Sequence, residues 1–533
     1  MSYLATIFRK LRGAKRDDGV ALPVDGNANA VIPGESVYDA TASIEAGNAA
    51  LRQNDSARAL ECFAAVLRVR HADADAHFGM GMAHYRLNEF VDASDCLQMA
   101  VHFRPGFAEA HNLLGACMLR RGGLEEAVRA FSTAVELMPG CALFHSDLGY
   151  VLLRECGEFE RGSAHIRTAL ALDDANQMIW CNYCMVLWHE GRLDEMIAVC
   201  ERLIAKDPGD QEAMLNRSLA LLKQGRFAEA WPGYESRKSS HSNYLPRPYD
   251  GPEWHGETLN GKTVLVCDEQ GLGDEIMFAS CIPDLMQRAE HCVIECSPRL
   301  ELLFRRSFPA ATVLGVPQSG RSTALLGTVR PIDYIADAGS LPGFFRRHAC
   351  DFPRHQGYLR ADDQRIRHWR TKMDALGAGL KVGVAWRGGA VSTRRALRSM
   401  DLADLLPVLK TPDMHFVSLQ HDADEAEISA IAGDAGVVMH QWPDALREFD
   451  ETAALICALD LVVTVCTATV HLAGALGRRT WVMVPAIAEW RYLENGASMP
   501  WYPAVRMYRQ RQAGTWRPVV DEVVTDLSKL RSA

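Results

Sequence analysis

At 533 residues the chain is too long for one hydrophobic core, and 48% apolar with 23% charged residues is the composition of a folded globular protein, so several domains are expected. A formal net charge of −10 argues against a general nucleic-acid binder, which needs a basic face. No apolar run reaches the roughly 18 residues that crossing a bilayer demands, and MSYLATIFRKLRGAKR carries its charges after its apolar stretch, the wrong order for a secretory signal, so a cytoplasmic protein without a membrane span is expected.

In chain order, residues 1–38 hold Gly13, Gly19, Pro23, Gly26, Pro33 and Gly34 among small and polar residues and read as a flexible tail. Its basic cluster of Lys10, Arg12, Lys15 and Arg16 is either a solvated tail or a contact for an acidic partner or membrane surface. From 39 to 237 a repeat takes over. Small residues recur at Gly47, Gly81, Gly115 and Gly149, each 34 apart, and after a one-residue slip at Cys184 and Ser218. The columns Ala59, Ala93, Ala127, Gly162, Met196, Ala230 and Phe63, Leu97, Phe131 keep the same step, and Pro105, Pro139 and Pro208 close units. This is the tetratricopeptide pattern, predicting about six units of two antiparallel helices in an all-α superhelix whose concave face takes an extended polypeptide. Of the 15 cysteines, Cys181-x-x-Cys184 lacks the second pair of a zinc site, so no metal is expected.

Two positions before the small residue of the last three units stand Asp147, Asn182 and Asn216. Asparagine both donates and accepts, so this ladder is a candidate for gripping the backbone of an acceptor protein. The competing reading has these side chains bonding to neighbouring helix carbonyls. Gly79 and Leu113 interrupt the column earlier in the array.

Residues 238–260 carry proline, glycine and Trp254 and read as an ordered linker. Beyond it two α/β halves are expected, 261–360 and 361–533. In the first, Lys262 to Cys267 is a strand, Asp268 to Glu275 a glycine-bearing turn, Ile276 to Ala289 an amphipathic helix and Cys292 to Cys296 the next strand. The turn holds Asp268, Glu269, Asp274 and Glu275, a set that repels a pyrophosphate but suits deprotonation of a hydroxyl. Asp274 is the candidate general base, made stronger by its carboxylate neighbours, and Gly271 and Gly273 let an acceptor approach the backbone; the alternative role for Asp274 is to cap a helix starting at Glu275.

The second half alternates strands at Lys381 to Trp386, Met414 to Leu419 and Val437 to His440 with helices at Asp401 to Lys410, Glu425 to Ala432 and Glu451 to Ala458. It culminates in DLVVTVCTATVHLAGALG, where the strand Leu461 to Val465 turns at Cys466 into a helix carrying His471, followed by a strand at Thr480 to Val484. The helix N-terminus at Thr467 to Val470 points from the carboxyl edge of a parallel sheet, a place for a phosphate. Arg387, Arg394, Arg395 and Arg398 crowd the segment after the Lys381 to Trp386 strand, either to neutralise a departing phosphate or as a solvated or structural cluster. His471 is a phosphate donor or a structural histidine, Glu451 packs its helix or faces the donor, and Glu489-Trp490-Arg491 lines the cleft without an assignable role. Cys466 and His471 do not form a nucleophilic pair, because their spacing exceeds a helical turn and no orienting group is evident.

The motifs DEQGLGDEIMFA, VGVAWRGG, LRSMDL, VSLQ, DETAALICALDLVVTVCTATVHLAGALG and WYPAVRMYRQ together resemble the GT-B glycosyltransferases of the bacterial heptosyltransferase-like group, in the variant fused behind tetratricopeptide repeats, over roughly residues 232–533. The repeat ladder resembles that of O-linked N-acetylglucosamine transferases. The resemblance implies two Rossmann-like domains and an inverting, metal-independent transfer from a nucleotide-sugar, which is co-substrate and not cofactor. It implies Asp274 as base and donor contacts at Arg387, Arg398, Gln420, Glu451, Thr467, Ala468 and His471. Cys466 stands where the family usually has aspartate. The acceptor implied is a protein recruited by the repeats, flagellin being one such acceptor. Two alternatives are a carbohydrate or lipopolysaccharide transferase of heptosyltransferase type and a repeat scaffold with a degenerate transferase half.

Overall fold

A computed structural model describes residues 39–240, 249, 251–317, 331–389, 395–423, 426–429, 433 and 436–530. The N-terminal tail, most of the proline-rich linker, Arg394 and half of the helix expected over Glu425 to Ala432 lie outside the described residues. The chain divides into two compact units between Val186 and Leu187.

The 34-residue period becomes helical pairs: α1 (Ala40–Arg52) with α2 (Ser56–Val69), α3 (Ala74–Arg86) with α4 (Phe90–Phe103), α5 (Ala108–Arg120) with α6 (Leu124–Leu137), and α7 (Ala142–Val151) with α8 (Phe159–Leu172). Then follow α9 (Gln177–His189) and α10 (Leu193–Lys206), and α11 (Gln211–Lys223) and α12 (Phe227–Tyr234). Three local devices repeat. Asp39, Asp55, Asp73 and Asp210 cap helix N-termini by accepting from first-turn amides. Asn54, Asn88, Gly122, Gly157, Gly191 and Gly225 take left-handed backbone in the turn inside each pair, where asparagine and glycine meet the least steric cost. The ring nitrogens of His77, His111, His145 and Trp180 each bond a carbonyl six residues back, closing the turn between pairs.

The small-residue column marks where paired helices touch. A Cβ at Gly149 would lie 2.6 Å from Ile166 Cγ1 and 2.8 Å from the Gly162 carbonyl, and one at Gly81 would lie 2.6 Å from Leu97 Cγ. The one-residue slip has a structural cause. α7 ends in a π-helical turn over Leu152–Cys156, which absorbs the extra residue without disturbing the buried column Leu153, Ile166 and Val186.

In the second unit, β1 (Thr263–Cys267), β2 (His291–Cys296), β3 (Thr312–Gly315) and β4 (Tyr334–Asp337) form a parallel sheet in the order β3-β2-β1-β4. The remaining strands, β5 (Leu380–Ala385), β6 (Met414–Ser418), β7 (Met439–His440), β8 (Leu461–Val465), β9 (Thr480–Val484), β10 (Ser498–Met499) and β11 (Tyr502–Arg509), form a sheet in the order β10-β11-β9-β8-β5-β6-β7. All its pairs are parallel except β10 with β11. Both sheets reverse winding direction beside their first strand, the doubly wound arrangement. Val382, Val384, Val463 and Val465 are buried on one face beneath Leu405, Val520 and Val523 of the covering helices, and β8 is buried along its whole length, as a central parallel strand requires.

The first half departs from expectation in one place. The helix after the glycine turn, α13 (Leu272–Phe278), starts at Leu272 with Gly271 as its N-cap, and the chain re-forms as a 3₁₀ turn over Ala279–Cys281 and a short helix over Ile282–Met286. Pro283 has no N–H to continue the ladder, which ends the first helix.

Candidate functional site

Strand order fixes where the second half opens. From β5 the chain winds outward through β6 and β7, then returns on the other side of β5 as β8, so the segments leaving β5 and β8 diverge at the carboxyl edge and leave a crevice. Trp386 to Gly389 leaves β5 and Cys466 to Thr469 leaves β8. Directly beyond the strand ends, before they part, the two still touch: a Cβ at Gly388 would lie 2.8 Å from the Cys466 carbonyl and 3.2 Å from that of Arg398, so only glycine fits.

Gln420 builds this rim. Its Oε1 accepts from the backbone N–H of Trp386 at 3.0 Å and of Arg387 at 2.8 Å, while its Nε2 donates to Asp422 at 2.6 Å. It is a support for the loop, buried beneath it. Arg387 pairs with Glu427 at 2.7 Å, and Arg395 with Asp422. Asp422-Ala423-Asp424 has Asp-x-Asp form, but Asp422 is tied to Gln420 and Arg395, and Asp424 lies outside the described residues. Arg398 is half-buried, packed by its Cβ against Gly388.

Opposite, the helix α17 (Ala468–Ala475) begins at Thr467, whose hydroxyl caps it by accepting from the Thr469 N–H at 3.0 Å. Thr467, Ala468 and Thr469 remain half-exposed, so the first turn is accessible. Cys466 is buried, and burial pushes its thiol up to about 12; it is an uncharged packing group, which agrees with the expectation that it is no nucleophile. His471 is buried with its Nδ1 3.0 Å from the Tyr502 hydroxyl. Burial, with Arg491 and Arg398 nearby, lowers it to about 3, so the ring is neutral.

The glycine turn of the first half meets this helix end. A Cβ at Gly273 would lie 3.1 Å from His471 Cδ2 and 3.7 Å from the Ala468 Cα. Asp274, the third residue of α13, forms an ion pair through Oδ1 with the guanidinium of Arg491. Two expectations about this turn are corrected. Asp274 is not a cap, because Gly271 holds that position and Asp274 makes no capping bond. Nor do its neighbours crowd it. Glu269 is buried and accepts from Arg237 Nε at 2.8 Å, Arg237 Nη2 at 2.7 Å and the Gly339 N–H at 2.6 Å, and Glu275 accepts from the Ser297 N–H at 2.8 Å. Asp268 is buried in the floor of the turn. The carboxylates divide between structural bonds and one facing residue, Asp274.

Glu451 lies on α16 (Phe449–Ala458), with both oxygens taken by Trp369 and Arg365 of α14 (Asp363–Asp374) at 2.7 Å each, so it joins two helices and does not make the donor contact that the resemblance implied. In the repeats, the Asp147 carboxylate accepts from Asn112 at 2.8 Å, and Asn182, buried, donates to Ser146 at 2.8 Å. Asp147 and Asn182 are thus each bonded to the adjacent helical pair, through side chains and not through the helix carbonyls that the competing reading expected. Asn216 sits half-buried on α11. Asn112 escaped notice because it lies three positions before Gly115, one off the column, whose place in that unit Leu113 takes.

Sequence reasoning singled out Arg491 without giving it a role, and missed a cavity of about 230 Å³ beside Gln420. Ser418, His421, Gln441, Trp442 and Leu446 line it at the carboxyl ends of β6 and β7, residues from segments too short to show a pattern.

Comparison with known proteins adds the following. The tetratricopeptide repeat family matches residues 44–106 and 197–237. Protein FlbA of Caulobacter vibrioides (strain ATCC 19089 / CIP 103742 / CB 15) is 34% identical over 353 residues, an alignment covering 63% of this chain and 59% of FlbA, so the chain spans somewhat over half the length of that relative. Among solved structures, the thermophilic TPR protein TTC0263 of Thermus thermophilus is 22% identical, covering 34% of this chain and all of that one, with a TM-score of 0.31. YrrB, a TPR protein with an unusual peptide-binding site, is 19% identical over 34% of this chain and 95% of its own, with a TM-score of 0.28. No helix of the described residues is long and apolar enough to cross a membrane. The N-terminal region is thus an all-α tetratricopeptide-repeat array, and an α/β region with parallel sheets follows it.

Proposed function

We propose that this chain is a glycosyltransferase of GT-B arrangement that moves a sugar from a nucleotide-sugar to a protein acceptor recruited by the repeats. One observation carries the reading: Asp274 of the first half stands at the helix end that flanks the winding reversal of the second half. In this reading the donor phosphates lie at the first turn of α17, with Thr467 and Ala468 offering backbone N–H groups and Arg398 neutralising charge as the phosphate departs. Gln420 holds the Arg387 loop in place, and His471, neutral, orients the turn through Tyr502. The cavity beside Gln420 suits the nucleoside end, with Trp442 as an aromatic wall. Asp274 takes the proton of the acceptor hydroxyl as that oxygen attacks the anomeric carbon, and the bond to phosphate breaks on the opposite face, inverting configuration.

The test is Asp274→Asn, which keeps size and polarity and removes the base. The full chain is incubated with UDP-, GDP-, ADP-, dTDP- and CMP-linked sugars and bacterial cell extract as acceptor source, and protein masses are followed. The parent adds a sugar mass and Asp274→Asn loses at least about a hundredfold in rate, the scale of general base catalysis. A folded Asn variant that transfers at the parent rate refutes the role. A second reading, a non-catalytic interaction scaffold, draws support from the repeats and from the close approach of Gly273 to α17. It predicts no transfer and no nucleotide binding by the parent chain.

A further inference from the structure

Asp274 has two oxygens and the structure treats them differently. Oδ1 is taken by Arg491, while Oδ2 makes no hydrogen bond among the described residues, and the Asp274 side chain stays 20% exposed. Arg491, 13% exposed, comes from a 3₁₀ turn over Trp490–Tyr492 in the opposite half, 217 residues away. That turn is anchored. Trp490 is buried with ring centroids 6.0 Å from Trp231, 5.8 Å from Tyr234 and 6.2 Å from Trp501, and the Arg491 guanidinium lies 5.3 Å from the Trp490 ring centre. The Glu494 N–H donates to the Lys223 carbonyl at 2.7 Å, fastening the same segment to α11 of the last repeat pair. The backbone that carries Arg491 is thus fixed, and its guanidinium, over the Trp490 ring, bonds Asp274.

We propose that Arg491 is a positioning residue: it grips one oxygen of Asp274 and aims the other, Oδ2, at the acceptor hydroxyl. The inference rests on the sugar-transfer reading. A carboxylate on a single Cβ–Cγ bond otherwise sweeps its lone pairs through many orientations, and fixing one of them removes that freedom before the reaction starts. In the step itself, the acceptor O–H bond breaks with its proton passing to Oδ2, the acceptor oxygen bonds the anomeric carbon, and the pair of the anomeric C–O bond leaves with the phosphate. Arg491 keeps its contact with Oδ1 throughout and touches neither substrate. The anchored turn suits an arginine here: its guanidinium lies over the Trp490 ring and its planar fork reaches Asp274 from a fixed backbone.

The test uses the full chain with the sugar-nucleotide panel and extract described above, comparing the parent with Arg491→Gln, Arg491→Lys, Asp274→Asn and the Asp274→Asn/Arg491→Gln pair. Arg491→Gln is expected to lower kcat by about 10- to 100-fold with the donor KM little changed, the scale of a misplaced reacting group. Lysine should restore part of the rate, and the double variant should be no slower than Asp274→Asn alone, because the two residues act as one device. Losses that add, a rate left at the parent value, or a raised KM at unchanged kcat would overturn the inference, the last assigning Arg491 to donor binding. If Arg491→Gln loses its thermal unfolding transition, Arg491→Lys decides by the same split between kcat and KM. A parent that transfers no sugar from any donor sinks the transferase reading and this inference with it. An active parent with an indifferent Arg491 sinks the inference alone.

Discussion

Replacing Arg237 with alanine tests how the last repeat pair is joined to the glycine turn. Arg237 and Glu269 are each 3% exposed at the side chain, and the guanidinium makes a two-pronged contact at 2.8 and 2.7 Å while also donating to Ser340 at 2.9 Å and the Tyr234 carbonyl at 3.2 Å. Each charge-assisted bond contributes about 1.5–3 kcal/mol, and removing one partner of a buried pair leaves the other as an unpaired buried charge, about 3–5 kcal/mol in comparable cases. Arg237→Ala should therefore destabilise the second unit by about 3–5 kcal/mol. Arg237→Met with Glu269→Gln, which leaves no buried charge, should recover at least half of that loss. Urea unfolding followed by tryptophan fluorescence reads the change, since Trp231 and Trp490 report on the same cluster. A loss below about 1 kcal/mol, the value of a surface pair, would mean that water reaches Glu269 and that the last repeat is not seated on the turn.

In the repeats, Gly149→Ala should cost about 1–3 kcal/mol by overpacking against Ile166 and the Gly162 carbonyl. Gly106→Ala, with open space around its Cβ, should stay within about 0.5 kcal/mol, and equal midpoints for the two would refute the packing argument. The pH dependence carries two opposite signs. His471 is lowered to about 3, so the unfolded chain binds its proton first and stability is lost as pH falls from about 6.5 towards 3; His471→Phe should flatten that slope, and parallel curves for parent and variant would contradict it. Burial raises Asp147 to about 7 against the bond from Asn112, so its contribution is lost as pH rises from about 4 through 7, and Asp147→Asn should be relatively more stable at pH 8, as urea midpoints would show.

The repeat array was legible because its constraint is local and recurrent. A glycine every 34 residues is forced by a facing helix, and the turn inside each pair demands left-handed backbone at the same step, so period and cause coincide. The strands of both sheets were legible for a similar reason, since burial on both faces leaves continuous apolar runs such as Val264 to Cys267. What the sequence concealed is pairing across distance. Four carboxylates in one turn look alike in a string, and only the fold sends Glu269 to Arg237 and Glu275 to the Ser297 N–H while turning Asp274 towards Arg491. The same holds for Asn182, where spacing marked a column and packing assigned its amide to Ser146. Helix starts were misplaced where Gly271 could cap α13 in place of a polar side chain.

The central claim is a nucleotide-sugar held at the winding reversal of the second half, and calorimetric titration of the full chain with UDP, GDP, ADP, dTDP and CMP tests it most directly. The account predicts that one of them binds and that Arg398→Ala weakens that binding by about 2 kcal/mol, close to thirtyfold, through loss of a charge-assisted phosphate contact. No binding by any of the five, or equal affinity for parent and Arg398→Ala, would contradict it.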